Sequence, residues 1–365
     1  MKKLVSIILV SVMLAAVALT GCASTEQPAA SSDSGTDTQA SAAPAESSAA
    51  SDSGSEGEGG KYKVAYVART LSDQFASWLA SEMQKSAEEY SDTYTLDVLD
   101  SQGDPEKENS LLENCITQGY DCVIIQPNDG ELQRPYAEKL VEAGIKVITT
   151  NAKIPDLEGA SSVDADPYEQ GAVLARDAAE KIPENGKIVI LNCLPGNLHT
   201  TTRYQAFQEE LLAKRPDIEV LGDQIIEQGS EADAMAVFED WAQSYGTWDC
   251  TLTTSDALAQ GFINMAKDNP AFENTLVYGV DGTAGGMLNV IDGLQTATCL
   301  QNAIELGELN TKLAYELLTG ATEQEDYAIE AILVDSSNVD EYIKIYIDNG
   351  QLTEDEVKQH QDAAA

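Results

Sequence analysis

A chain of 365 residues with 21 Lys and Arg against 62 Asp and Glu carries a formal charge of -41 and has a sequence pI near 4.1. That sign of field excludes nucleic acid and anionic lipid headgroups as partners, because phosphate recognition needs a positive surface. Two histidines, His199 and His360, exclude a multi-histidine metal centre; five cysteines beyond Cys22 stand at wide, irregular spacing, so neither a disulfide framework nor a CxxC metal site is expected.

The chain opens with Lys2 and Lys3, then a long apolar run that ends in Leu19-Thr20-Gly21-Cys22. This start is similar to a bacterial lipoprotein export signal, which implies removal of residues 1–21 and a lipid on Cys22. Residues 23–60 are Ser, Ala, Gly, Glu, Asp, Thr, Gln and Pro, without an aromatic or any aliphatic larger than alanine. Such a segment buries too little apolar surface to fold. Residues 22–60 are therefore read as a tether, with a root-mean-square reach of roughly 35 Å. No later stretch offers the ~20 apolar residues that a membrane crossing needs.

From Lys61 onward the pattern becomes one of alternating strands and helices. Val64–Ala68 is a strand, and helical spacing of Phe75, Trp78, Leu79 and Met83 begins after a short polar turn. Thr95–Leu99 (strand), Pro105–Gln118 (helix), Cys122–Ile125 (strand), Glu131–Ala143 (helix) and Lys146–Thr149 (strand) continue the rhythm to Asn151. Asp166-Pro167-Tyr168 starts a helix that runs to about Lys181. A second series has strands at Lys187–Leu191, Glu219–Ile226, Thr251–Thr254, Leu276–Val280 and Thr296–Leu300. Helices at Thr201–Ala213, Glu231–Ser244, Asp256–Lys267 and Gly286–Ile291 separate them. A long helix from Ile304 to Leu318 stops at Gly320; an apolar strand, Ala328–Val334, and a polar helix from about Val339 close the chain.

Regular alternation of this kind predicts an α/β fold with parallel sheets covered by helices on both faces, and the length suits two doubly wound lobes, which more than one chain crossing between them would hold around a cleft. Ligands of open α/β sheets sit beyond the carboxyl ends of the strands. The polar residues in those places are Arg69 and Asp73, then Asn151, the Asn197–Arg203 loop with His199 in it, Ser255 with Asp256, Asp281 and Gln301. Together they predict a cleft between lobes.

The same residues resemble the type I periplasmic sugar-binding proteins that serve ABC transporters, the ribose and glucose/galactose group in particular. The likeness covers Lys61–Ser336 and rests on the order of many weak motifs. KVAYVARTLSDQF, TLDVLDSQGDPEKE, DCVIIQPND and IKVITTN carry it through the first lobe. SSVDADPYEQG marks the first crossing, TTRYQAFQ, TTSDALAQG and VYGVDGT the second lobe, and TATCLQN the return.

The resemblance implies a first lobe of residues 61–165 plus 302–329 and a second of 166–301 plus 330–365. It also implies a monosaccharide or related polyol as ligand, an ABC permease as partner, a lipid-anchored monomer at the cell surface or in the periplasm, and no enzymatic activity or cofactor. By position it makes Asp73 a ring-hydroxyl acceptor, Phe75 an aromatic on the sugar face, Asn151 a hydroxyl-binding amide, Arg203 a guanidinium donor, Asp281 an acceptor from two hydroxyls and Gln301 the hinge amide. Arg69, His199 and Ser255 complete the expected ligand-binding set. Planar Asp, Asn, Gln and Arg groups suit vicinal hydroxyls, which both donate and accept. A nucleoside or signalling-molecule receptor on the same fold is the alternative. A hydrolase built on His199 with Thr200–Thr202 has only sequence proximity in its favour.

Overall fold

The computed structural model describes residues 62–364. The expected signal at 1–21, Cys22, the tether to residue 60, and Lys61 lie outside the described residues.

The predicted rhythm is present in two copies. β1 (Tyr62–Ala68) has Val64 through Ala68 fully buried. Its side chains alternate between two cores, Val64, Tyr66 and Ala68 on one face and Ala65 and Val67 on the other. That is why a fully apolar run reads as a central strand. α1 (Gln74–Ala87) follows, capped by Asp73, whose Oδ1 accepts the Ala76 N–H at 2.7 Å. Then come β2 (Tyr94–Asp100), α2 (Pro105–Thr117), β3 (Cys122–Ile125), α3 (Gly130–Glu142), β4 (Lys146–Asn151) and β5 (Ser161–Asp164). β5 is a strand that periodicity does not mark, since its sequence is the short and polar SSVD; it pairs in parallel with β4.

The second copy comprises α4 (Pro167–Lys181), β6 (Lys187–Cys193), α5 (Leu198–Ala206), β7 (Glu219–Ile226), α6 (Glu231–Tyr245), β8 (Cys250–Thr253), α7 (Asp256–Ala266), β9 (Leu276–Asp281), α8 (Ala284–Ile291) and β10 (Ala297–Leu300). α5 begins three residues before the expected Thr201, because Asn197 caps it by accepting the His199 and Thr200 N–H groups at 3.1 and 3.2 Å. The π-helical stretch Phe207–Leu212 continues it. The chain ends with α9 (Ala303–Thr319), β11 (Asp326–Ala328), β12 (Ile332–Asp335), α10 (Val339–Asp348) and α11 (Glu354–Ala364).

The expected single strand at Ala328–Val334 is corrected to two, each in a different sheet. β11 pairs with β5, whereas β12 runs antiparallel to β10. The buried Ile329 between them makes the run look continuous.

The sheets have matching strand orders, β2-β1-β3-β4-β5-β11 and β7-β6-β8-β9-β10-β12. The chain passes between them after β5, after β10 and between β11 and β12. At the first two passages the helix cap, Asp166 (φ 42°) and Asn302 (φ 38°), takes the left-handed conformation that a tight reversal needs. One hydrophobic cluster draws on both halves: Phe75, Trp78 and Leu79 of α1, Leu306 and Leu313 of α9, Met287 of α8, and Ile343 and Tyr346 of α10. The Trp78 and Tyr346 rings meet with centroids 5.4 Å apart. All five described cysteines are free and buried, where each packs as a small apolar residue.

Candidate functional site

The strand ends of both sheets converge on a buried polar centre. Gln126 directly follows β3, Asn151 ends β4, Asp281 ends β9 and Gln301 follows β10, while Arg203 projects from α5 and Gln170 from α4. All six are buried.

They form one hydrogen-bonded chain. The Tyr66 hydroxyl donates to Gln126 Oε1 (2.9 Å), and Gln126 Nε2 donates to Asn151 Oδ1 (3.2 Å). Asn151 Nδ2 donates to Gln301 Oε1 (2.6 Å), which also accepts from Gln170 Nε2 (3.2 Å). Gln301 Nε2 donates to Asp281 Oδ1 at 2.5 Å. Arg203 closes the network, with Nη1 on Asp281 Oδ1 (3.3 Å) and the Thr254 carbonyl (2.9 Å), and Nε on Gln170 Oε1 (2.9 Å). Asn151 holds a left-handed backbone (φ 65°) and Asp281 a φ of 115°, so local backbone strain is concentrated at two of these residues.

Arg69 follows β1 and pairs through Nη2 with the Asp73 carboxylate; its Nε is buried without a protein partner among the described residues. His199, 2% exposed, likewise has neither ring nitrogen hydrogen-bonded there. Burial, with Arg69 and Arg203 nearby, holds His199 well below its ordinary pKa, so the imidazole is neutral and offers one donor and one acceptor. Burial pushes the Asp281 carboxyl up to about 7 against the opposing pull of Arg203, with Asp256 and Asp73 adding to the rise.

Of the expected set, Asn151, Arg203, Asp281 and Gln301 are thus directly joined, and Arg69 lies on Asp73. Phe75 is elsewhere: it is 2% exposed and packs edge-on against Trp78 at 6.1 Å within the shared cluster. Ser255 is half-buried and caps α7 through the Leu258 N–H at 3.4 Å. Its neighbour Asp256 is a scaffold carboxylate, accepting from Gln295, Thr298 and the Thr283 N–H, each at 2.8 Å. Gln126, Gln170 and Tyr66 stand outside the expected set. Gln126 is within reach of the same rule that finds Asn151, since it too stands immediately after a strand.

The two sheets are held across the centre by the backbone as well. Leu198 N–H, at the start of α5, donates to the Asn128 carbonyl of the loop after β3 at 2.9 Å. The placement of Arg203 depends on Gly171 of α4, where an added Cβ would lie 2.5 Å from the Arg203 carbonyl oxygen and 2.9 Å from its Cα. Gly171→Ala is therefore expected to lower stability by about 1–3 kcal/mol by overpacking. It should also weaken ligand binding, since α5 must back away; denaturant melts and calorimetry on the same sample check both.

Two α/β lobes with inward-facing acids, amides and guanidinium groups, joined by three crossings, define a bilobal receptor for a small polar solute. The chain belongs to the periplasmic binding protein domain family, whose profile matches residues 64–322. Among similar proteins is the ribose import binding protein of Escherichia coli K12, 26% identical over 277 residues, covering 75% of this chain and 90% of that one. The xylitol-binding protein of Mycolicibacterium smegmatis is 27% identical over 235 residues, covering 63% and 66%. A Bacillus halodurans ABC transporter solute-binding protein with bound myo-inositol superposes with a TM-score of 0.74 at 23% identity, over 80% of this chain and all of that one.

Proposed function

We propose that this protein is an extracytoplasmic receptor that captures a monosaccharide or related polyol and delivers it to an ABC transporter permease. The observation that carries the reading is the continuous network from Gln126 to Arg203. It joins lobe to lobe through groups that suit hydroxyls, and a ligand seated on it contacts both lobes at once. Such a ligand favours the closed arrangement by its differential affinity for it, which is the thermodynamic content of hinge closure. Ribose, xylitol and myo-inositol, named for the similar proteins above, set the chemical range. Binding without catalysis accords with that company.

In this reading Asp73, Asn151 and Arg69 belong to the first lobe's contacts and His199, Arg203, Ser255 and Asp281 to the second's, with Gln301 at the hinge, while Phe75 stays in the apolar cluster beside Trp78. The lobes are residues 61–165 plus 302–329 and 166–301 plus 330–365. A lipid on Cys22, after loss of residues 1–21, holds the monomer near its permease.

The test is a melting screen of the full chain, followed by the fluorescence of Trp78, Trp241 and Trp248, against pentoses, hexoses, sugar acids, alditols, cyclitols and nucleosides. A ligand that binds only the native state raises the melting temperature with concentration, by an amount equivalent to about 2.7 kcal/mol at a hundred times Kd. A rise with one polyol class is the expected outcome. A rise with nucleosides alone moves the function to a nucleoside receptor on the same fold.

A further inference from the structure

Gln126 has no role in the ligand set above, yet its position governs the amides that do. Its Oε1 accepts the backbone N–H of Arg69 at 3.3 Å and the Tyr66 hydroxyl at 2.9 Å. A backbone N–H can only donate, so Oε1 must face β1 and Nε2 must point away, toward Asn151 Oδ1. Asn151 is thereby turned with Nδ2 toward Gln301 Oε1.

The far end of the chain is anchored in the same way. Gln170 Oε1 accepts from Arg203 Nε, which only donates, and Gln170 Nε2 donates to the Ala165 carbonyl (2.9 Å), which only accepts. Gln301 Oε1 then holds two donors, and its Nε2 serves the Asp281 carboxylate. Every amide orientation follows from a group whose role is fixed.

The residual hydrogen-bonding capacity follows too. Gln301 Oε1 has both lone pairs engaged, so Gln301 can offer a ligand only its second Nε2 hydrogen. Asp281 keeps Oδ2, which no hydrogen bond from the described residues reaches. A group that accepts from Gln301 and donates to Asp281 is a hydroxyl; an ether oxygen or a carboxylate cannot do both.

We propose that Gln126 is a positioning residue: its amide, polarised from β1, sets the orientation of Asn151 and so the hydroxyl selectivity of the Asn151–Gln301–Asp281 group. The assignment rests on the receptor reading given above and adds to it a residue outside its ligand set.

Gln126→Glu is the discriminating variant. The introduced carboxylate still accepts from Tyr66 and Arg69 but cannot donate to Asn151. Asn151 then turns over and sets Oδ1 against Gln301 Oε1, while Gln301 cannot follow without facing its own carbonyl to Asp281. At low pH the introduced side chain takes up a proton, and its carboxylic acid O–H donates to Asn151 Oδ1 and restores the chain. The charged groups around the position are Arg69 beside β1, Asp73 at the start of α1, Glu108 on α2, and Asp281 from the opposite lobe.

The experiment is titration calorimetry of the full chain with D-ribose, xylitol and myo-inositol at pH 5 and pH 8, each variant being compared with the wild type at the same pH. For the probe that the wild type binds, Gln126→Glu is expected to lose at least about tenfold in affinity at pH 8 and to come within about threefold of wild type at pH 5. Gln126→Met, which keeps the volume without the amide, should lose affinity by a similar factor at both pH values and bind the three probes with a flatter ranking. An affinity for Gln126→Glu that matches wild type at pH 8, or falls equally at both pH values, overturns the assignment and leaves the receptor reading standing. Failure of the wild type to bind these three and every other polyol of the melting screen overturns both.

Discussion

Asp281→Asn is expected to cut affinity for the cognate polyol by roughly 10- to 150-fold, the equivalent of losing a charge-assisted hydrogen bond worth about 1.5–3 kcal/mol. The substitution keeps an Oδ1 that can accept from Gln301 and from Arg203, so the network around it is preserved. What goes is the anionic Oδ2, the strongest acceptor left to a ligand hydroxyl. Asp281→Ala is the poorer test, because it strands the buried Arg203 without its carboxylate, a change that costs about 3–5 kcal/mol of folding.

The pH dependence gives an independent readout. Burial raises the Asp281 carboxyl to about 7, and a donating hydroxyl favours the ionised form. Ligand binding is therefore coupled to proton release below pH 7, so wild-type affinity should fall as pH drops from 7 to 5.5, by up to about tenfold per unit for a single proton. Asp281→Asn removes the titrating group, and its affinity should stay flat over the same range. Calorimetry at pH 5.5, 7 and 8, with a melting curve to confirm folding, decides it; an Asp281→Asn affinity within about threefold of wild type at pH 8 refutes the role.

The second large effect concerns stability. Glu108 lies fully buried on α2, with Oε2 accepting from the Asn128 backbone N–H (3.0 Å) and Nδ2 (2.7 Å), and with Oε1 lacking any partner among the described residues. Burial pushes its carboxyl from 4.5 up to about 8, against the lowering by the Asn128 hydrogen bonds and by Arg69. An acid whose folded pKa lies above its unfolded one holds a proton in the native state that the unfolded chain has released. Stability therefore declines as pH rises from about 4.5 to 8. Glu108→Gln supplies the same acceptor to Asn128 and replaces the ionisable oxygen by a neutral amide. The variant should be more stable than wild type by about 2–4 kcal/mol at pH 9, and the gap should close to within about 0.5 kcal/mol at pH 4.5. Urea unfolding across that range measures it. A constant difference at all pH values would mean that Glu108 does not titrate as its burial demands. The Asn128 carbonyl also accepts the Leu198 N–H from the other lobe, so Glu108 steadies one of the direct joins between them.

The alternation of strands and helices is readable because central strands here are short, largely apolar runs, and because the helices begin on side-chain caps such as Asp73, Asp104 and Asp129. β5 escapes because four residues with one large apolar side chain have no period to detect. β11 and β12 fuse on paper because sheet membership is a matter of partners, which no local pattern encodes. In the site, looking just past each strand finds Asn151, Asp281 and Gln301. Phe75 illustrates the limit of spacing: its three-residue step to Trp78 fits a helix's core face as well as a ligand wall, and the chain uses it against Trp78. Tyr66 is invisible for another reason. Inside an apolar strand a tyrosine counts as core, and only the neighbouring strand reveals that its hydroxyl reaches Gln126.

The apolar cluster that joins α1 and α9 to α8 and α10 has a consequence for how the molecule comes apart. Chains of this size with separate cores commonly unfold domain by domain. Here Trp78, Leu313, Met287, Ile343 and Tyr346 belong to one packed body, so neither half can lose its core without exposing part of the other's. Heating should melt residues 62–364 in a single cooperative step, with calorimetric and van't Hoff enthalpies in agreement, even though the polypeptide forms two sheets.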